Sequence, residues 1–222
     1  MPEGKSFEQP HEIPPQPPVD IRLVLEKGEI ESAETLKGFF PIKDVKLKDD
    51  GEAIFRPDGT RFERMDMVRD LRSDLELLVY SVDNILEFNL VPPVVFREVK
   101  GTDGTMQQKV DNAVLACFVN WQEIVDRGEL LKAAVFDYII DAKDRHDGNF
   151  LFDPHSGKIW LIDHDYLMLL DKGHSSYILE AAVGLKFTQI TNEIRTSLER
   201  FVNQVDSVTV GTETEVIEIL EK

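Results

Sequence analysis

The chain has 222 residues, 42% of them hydrophobic, which is enough for a core and excludes global disorder. Its formal net charge of −17 repels phosphate backbones and anionic headgroups, so nucleic acid is not expected as a partner. Apolar runs such as Leu77–Tyr80 and Ile159–Ile162 are far too short to span a bilayer, so no membrane insertion is expected.

The N-terminus is polar, without the apolar stretch of a secretory signal. Cys117 is the single cysteine, which fits a reducing, cytoplasmic setting and reads as an inert buried thiol. Residues 1–18, with Pro2, Pro10, Pro14, Pro15, Pro17 and Pro18, predict a disordered proline-rich tail. From Ile21 to Phe55 the pattern is strand-like: Ile21–Leu25, Phe39–Ile42, Val45–Leu47, then the turn Asp49-Asp50-Gly51 and the strand Ala53-Ile54-Phe55. Arg56-Pro57-Asp58-Gly59 should end that strand.

Residues 66–88 predict a helix, because Val68, Leu71, Leu75, Leu78, Val79, Val82, Ile85 and Leu86 recur at spacings of three and four. Val91–Phe96 is extended around Pro92 and Pro93. Lys100–Gly104 reads as a turn and Thr105–Val110 as a returning strand. From about residue 112 the chain turns helical, with an apolar stripe of Leu131, Ala134, Val135, Tyr138 and Ile139 ending near Ala142. After the polar stretch Asp144–Asn149, Phe150–Phe152 and Lys158–Ile162 predict a β-hairpin around Asp153–Gly157. Ile178–Val183, Ile190–Val202 and Thr214–Leu220 look helical. Strands with one helix precede helices with one hairpin. The expected fold is α+β and two-lobed, with a β-rich lobe over 19–110, a mostly helical lobe over 111–222, and a cleft between them.

The chemistry gathers between Asp144 and Asp165. A hairpin of this length brings its ends together, so Asn149 before the first strand should lie beside Asp163 after the second. An amide oxygen and a carboxylate are hard-oxygen ligands suited to Mg²⁺. Asp144 lies upstream on the same loop and is expected to face the space before the metal. Taken singly, each of these residues is equally at home in a turn; it is their convergence on one hairpin that points to a site.

The pattern Asp144-Arg145-His146-x-x-Asn149, followed by Leu161-Ile162-Asp163, resembles the catalytic loop and metal-binding aspartate of kinases, and more closely the phosphatidylinositol 3-/4-kinase-like group. Ala53–Pro57, Glu76, Leu90–Val94 and Gly104–Gln107 resemble small bacterial-type members of that group, in the same order, so the likeness spans about residues 25–170. It implies a kinase-like fold and an ATP- and Mg²⁺-dependent phosphotransferase, with Mn²⁺ as an alternative ion. The acceptor would be a hydroxyl of a protein or a small molecule. By that likeness Asp144 orients or deprotonates the acceptor, and His146 either assists as a base or fixes the loop. Asn149 and Asp163 hold the metal, and Asp165 is a second ligand or a turn residue. Glu76 pairs with the cation at the α/β-phosphates, and Thr105–Val110, with Met106, Gln107, Gln108 and Val110, holds adenine by backbone bonds.

Three departures stand against the family pattern. Arg56 occupies the position of the strand lysine, Gly38 stands alone where a glycine-rich loop is usual, and His164 replaces the phenylalanine of Asp-Phe-Gly. Lys43, Lys46 and Lys48 are nearby cations able to compensate. The departures keep two rival classes open: a nucleotide-binding pseudokinase or interaction module, and a metal-dependent phosphohydrolase.

Overall fold

The computed structural model describes residues 20–36, 41–48, 51–58, 61–64, 67–70, 73–142, 144–164, 176–185 and 190–207. The proline-rich tail, the expected helix Thr214–Leu220 and Asp165 lie outside these residues.

The first lobe is a five-stranded antiparallel sheet in the order β1-β2-β3-β7-β6. Its strands are β1 (Ile30–Thr35), β2 (Lys43–Leu47), β3 (Glu52–Pro57), β6 (Val94–Val99) and β7 (Thr102–Gln108). A small ribbon of β4 (Arg61–Arg64) and β5 (Met67–Asp70) precedes helix α2 (Ser73–Leu86). Alternation decides the two faces of the large sheet. Val45, Leu47, Ala53, Phe55, Val95, Val99 and Met106 bury one face under Leu25 of helix α1 (Ile21–Lys27). Ile54, Arg56, Thr105 and Gln107 share the other face, through the register Ile54↔Gln107 and Arg56↔Thr105.

Several expected elements are corrected. Ile21–Leu25 is the start of α1 rather than a strand: Asp20 accepts hydrogen bonds from the Arg22 and Leu23 amides and caps a helix too short to show a full apolar stripe. The strand β3 continues through Arg56 and Pro57, since Pro57 sits at the strand's end opposite Gly104 and surrenders no inner ladder bond. The turn after β6 is confined to Lys100 and Gly101, both at positive φ, and Gly104 belongs to β7. An added Cβ at Gly104 would meet the Arg56 carbonyl oxygen at 2.2 Å, so the glycine there permits close strand approach. Of the expected strand Phe39–Ile42, Pro41 and Ile42 are irregular, and 37–40 lie outside the described residues.

The long helix expected over 66–88 begins only at Ser73, because 67–70 pair as β5. Its N-terminus is capped across the lobe by Asp58, whose carboxylate accepts from the Ser73 amide at 3.3 Å. The buried stripe of α2 is Glu76, Val79, Tyr80, Asp83 and Leu86, so two carboxylates lie on its inward face. Asp83 accepts hydrogen bonds from the Leu90 and Val91 amides, both at 2.9 Å, and so holds the turn where Glu87 and Asn89 take positive φ. Burial pushes its carboxyl from 3.8 up to about 6, against the opposing pull of those two amides. The folded chain therefore holds a proton that the unfolded chain has released between about pH 4 and 6, and stability falls as pH rises through that window. The loss is on the order of 3 kcal/mol. Asp83→Asn is expected to flatten this slope; urea unfolding at both ends of the window measures it, and identical slopes in the two proteins would remove Asp83 as its source.

After Gln108 the chain passes to the second lobe. The helical start expected near 112 is instead a two-residue strand, β8 (Val114–Leu115), and a 3-10 turn (Ala116–Phe118), segments too brief to leave a periodic signal. Cys117 is exposed, not buried, because Ala116 takes the inward position of that turn. Helices α3 (Trp121–Ile124), α4 (Arg127–Ile139), α5 (Tyr177–Gly184) and α6 (Asn192–Ser207) surround the sheet β10-β9-β8, whose hairpin strands are β9 (Phe150–Phe152) and β10 (Ile159–Leu161). Phe136, Phe150, Phe152, Trp121, Ile159 and Leu161 form the centre of this core, and Val79, Leu86 and Leu90 join it from the α2 side. No helix among the described residues is long and apolar enough to cross a membrane.

Candidate active site

Strand β3 places Arg56 on the sheet face opposite α1, and α2 places Glu76 against it. Arg56 NH1 donates to Glu76 Oε1 at 3.1 Å and to Asp163 Oδ1 at 3.3 Å. One guanidinium nitrogen thus joins the sheet, α2 and the segment following β10. Glu76 is 3% exposed and is also held by His164, whose backbone amide donates to Oε1 and whose Nδ1 lies 3.0 Å from Oε2. Burial by itself would raise the Glu76 carboxyl, but the charges of His164 and Arg56 and the hydrogen bonds from His164 together hold it well below the carboxylate range. His164 is fully enclosed, and its Nε2 has no hydrogen-bond partner among the described residues. Its part here was not foreseen from sequence, where it registered only as a missing phenylalanine.

Asp163 sits at φ 60°, the left-handed region that aspartate tolerates better than most residues. Its side chain is 37% exposed, so it faces Arg56 on one side and open space on the other. The hairpin places Asn149 beside it: the Ile162 amide donates to the Asn149 carbonyl at 3.2 Å. Asn149 is buried, and its Nδ2 donates to the Asp144 carbonyl at 2.7 Å, which leaves the amide oxygen Oδ1 as the acceptor end of that side chain. Asp144, Asn149 and Asp163 therefore belong to one stretch of linked backbone.

His146 is exposed, and its Nδ1 accepts the Gly148 amide at 2.9 Å. A neutral ring bonded this way carries its proton on Nε2 and has no ring nitrogen left to accept another. The geometry favours the loop-fixing role of His146 over that of a base. An added Cβ at Gly148 would meet His146 Cε1 at 2.8 Å, so this glycine keeps the ring folded onto the loop.

Arg145, unassigned in the sequence reading, is the residue on which the loop is built. It is 2% exposed and donates from NH1 to the carbonyls of Asn149 at 2.7 Å and Ile162 at 2.8 Å. A buried arginine inside a polar loop leaves no periodic trace, and its only signal was its place between Asp144 and His146.

The expected adenine strip lies along β7 and the residues that follow it. Met106 is fully buried on the α1 face, away from Arg56, and β7 is an inner strand whose ladder is shared between β3 and β6. The Gln108 and Lys109 amides are already taken by the carbonyls of Pro93 and Glu52. Met106 and the Gln108 amide are thus engaged within the sheet, while Gln107 lies buried on the Arg56 face and Val110 follows the strand in the interlobe connection. Lys43 lies over the Phe55 ring at 5.5 Å on the α1 face, and Lys48 pairs with Glu29, so neither compensates at Arg56. Lys46, opposite Glu52, shares the register of the Arg56 face.

A β-rich lobe joined to a helical lobe by an Arg–Glu–Asp bridge, above a loop and hairpin rich in hard-oxygen donors, defines a two-lobed α+β protein with its candidate site where the lobes meet. No protein-family model matches the chain, and no curated protein matches it in sequence. Among solved structures it is similar to the Golgi casein kinase, with 12% identity and a TM-score of 0.48 over 82% of this chain and 68% of that one. It is likewise similar to the Golgi casein kinase with Mn/ADP bound, with 12% identity and a TM-score of 0.47 over 91% of this chain and 67% of that one. Likeness at this level says nothing about activity.

Proposed function

We propose that the chain is a kinase-like phosphotransferase of the phosphatidylinositol 3-/4-kinase-like group. It would use ATP with Mg²⁺ or Mn²⁺ and act on a hydroxyl of a soluble protein or small molecule in a reducing, cytoplasmic setting. The observation that carries this reading is the pair of hydrogen bonds that Arg56 NH1 donates to Glu76 and Asp163, which sets a cation and a metal-competent carboxylate side by side at the lobe junction.

The donor set fits a small hard cation. No group of three or more His, Cys, Asp or Glu side chains able to hold a metal occurs among the described residues. Mg²⁺ in phosphoryl-transfer sites needs fewer, since one or two protein oxygens suffice when phosphates and water supply the rest. Asp163 and Asn149 Oδ1 would be those oxygens, and Asp165 is proposed as a further one. Bound metal–ATP supplies the phosphoryl group and neutralises charge on its oxygens. Arg56 would draw the phosphates toward Asp163, with Glu76 and His164 holding it in place. Asp144 would orient the acceptor hydroxyl and take its proton, the His146 ring being occupied by the Gly148 amide. Gln107 and Val110 remain the proposed adenine neighbours.

The two bonds that Arg56 makes to Glu76 and Asp163 come from a single nitrogen, a geometry that an ammonium can imitate more readily than a forked one. Arg56→Lys is therefore expected to keep nucleotide affinity within about tenfold, whereas Arg56→Met should lose considerably more, since it leaves Glu76 buried without that partner. Titration with a fluorescent ATP analogue and Mn²⁺ checks this, and equal affinities for the two variants would contradict it.

A nucleotide-binding protein without turnover is the second reading, favoured by the ion pair that already engages Asp163. Incubation with γ-labelled and α-labelled ATP and either metal separates the two. Transfer or release of the γ label, lost in Asp144→Ala, supports the kinase; movement of the α label points to nucleotidyl transfer; saturable binding with neither label moving supports the second reading.

A further inference from the structure

The most deeply buried charges of the helical lobe lie behind the loop. Asp137, on the inward face of α4, is 0% exposed, and Arg145 donates from Nε to its Oδ1 at 3.1 Å. The other oxygen, Oδ2, accepts from Ser176 Oγ at 2.7 Å. Ser176 is the N-cap of α5, where its Oγ also accepts the Leu179 amide at 3.1 Å. The Tyr177 amide donates to the Arg145 carbonyl at 2.9 Å. Both oxygens of Asp137 are thus used, one by the loop and one by the start of α5.

A buried ion pair is a weak device for stability, because a well-packed apolar pair of equal volume does as well or better. What apolar packing lacks is direction. Arg145 spends its directional donors on the carbonyls of Asn149 and Ile162, and so fixes the backbone of one proposed metal donor against the residue preceding the other. Groups that orient ligands from behind in this way set affinity without touching the ion.

We infer that Ser176, Asp137 and Arg145 form a positioning relay that ties the seating of α5 to the alignment of Asn149 with Asp163. With α5 seated, the Ser176 hydroxyl completes the Asp137 carboxylate, which in turn holds the Arg145 fork square to the two carbonyls. With α5 displaced, Asp137 loses a buried partner and the fork loses its fixed anchor. None of these three residues is catalytic. Their role as aligners of metal donors rests on the function proposed above, but the coupling itself is a property of the chain alone.

The test uses the whole chain and the mildest break, Ser176→Ala, with Ser176→Thr to restore the hydroxyl. Asp20→Ala serves as a control that removes a helix N-cap far from the loop. The first readout needs no ligand: amide exchange at Ile162, whose N–H is bonded to the Asn149 carbonyl. Ser176→Ala is expected to speed it about tenfold relative to Asp20→Ala, and Ser176→Thr to bring it back. The second readout is the Mn²⁺ concentration for half-maximal binding of a fluorescent ATP analogue, expected to rise about tenfold in Ser176→Ala and less than twofold in Asp20→Ala. Unchanged Ile162 exchange in Ser176→Ala overturns the relay, as does an equal change in Asp20→Ala. Altered exchange in a chain that binds no metal–nucleotide at all supports the coupling while sinking the proposed function, so the two failures are told apart.

Discussion

Asp163→Ala is expected to abolish metal-dependent nucleotide binding and to lower any turnover by on the order of a hundred- to a thousandfold. Among the described residues, Asp163 touches Arg56 and also keeps more than a third of its side chain open to solvent. On the proposed function its loss removes a hard-oxygen donor to the metal, and in any case it removes the negative charge that faces Arg56. Alanine also fits the φ of 60° poorly, at a cost of about 1 kcal/mol, so part of any change would be structural. Asp163→Asn separates the causes. Asparagine tolerates the same backbone and still accepts from Arg56, but it carries no charge for a metal. Nucleotide-induced thermal stabilisation in Mg²⁺ or Mn²⁺ provides the measurement, since a ligand that binds only the folded chain raises its melting temperature, the more so the further its concentration exceeds its Kd. Stabilisation that survives in both variants would remove Asp163 from the site.

Glu76→Gln is the second large effect, and it falls on stability as well as activity. Glu76 is the shared partner of Arg56 and His164, both nearly enclosed. Removing one member of a buried charge network leaves the others uncompensated and costs about 3–5 kcal/mol. The pH dependence has a defined sign. The folded carboxyl is held below its ordinary value, so its contribution is fully present above the ordinary glutamate pKa of 4.5 and is lost as pH falls below it. The wild-type chain should lose this stability on acidification and Glu76→Gln should not, the reverse of the trend assigned to Asp83. Chemical unfolding from neutral to acidic pH reads both effects in one series. A variant that parallels the wild type throughout would mean that the network contributes nothing.

Element types were legible wherever a side-chain period ran long enough. The β2–β3 pairing, the β9–β10 hairpin, α4 and α5 all lie where alternation or a three-to-four spacing placed them. Reading failed where tertiary contacts overrode local pattern. Residues 67–70 carry helical spacing but pair as β5, and Ile21–Leu25 reads as a strand but is wound into α1 by a single aspartate cap. Cys117 is another such case, since composition favours burial and only the fold of a three-residue turn turned it outward.

By itself the sequence determined the order of lobes and the convergence of Asn149 and Asp163, because a short hairpin joins its own ends by covalent reach alone. It also supplied the net charge of −17. Only the tertiary structure decided which groups bond across the lobes: that Arg56 bridges Glu76 and Asp163, that His164 is a second partner for Glu76, and that Arg145 ties the loop to α4 and, with Ser176, to α5. The physical reason is range. Periodicity and turn chemistry act over a few residues, whereas a buried charge is placed by partners up to 107 positions away, and nothing local records who those partners are.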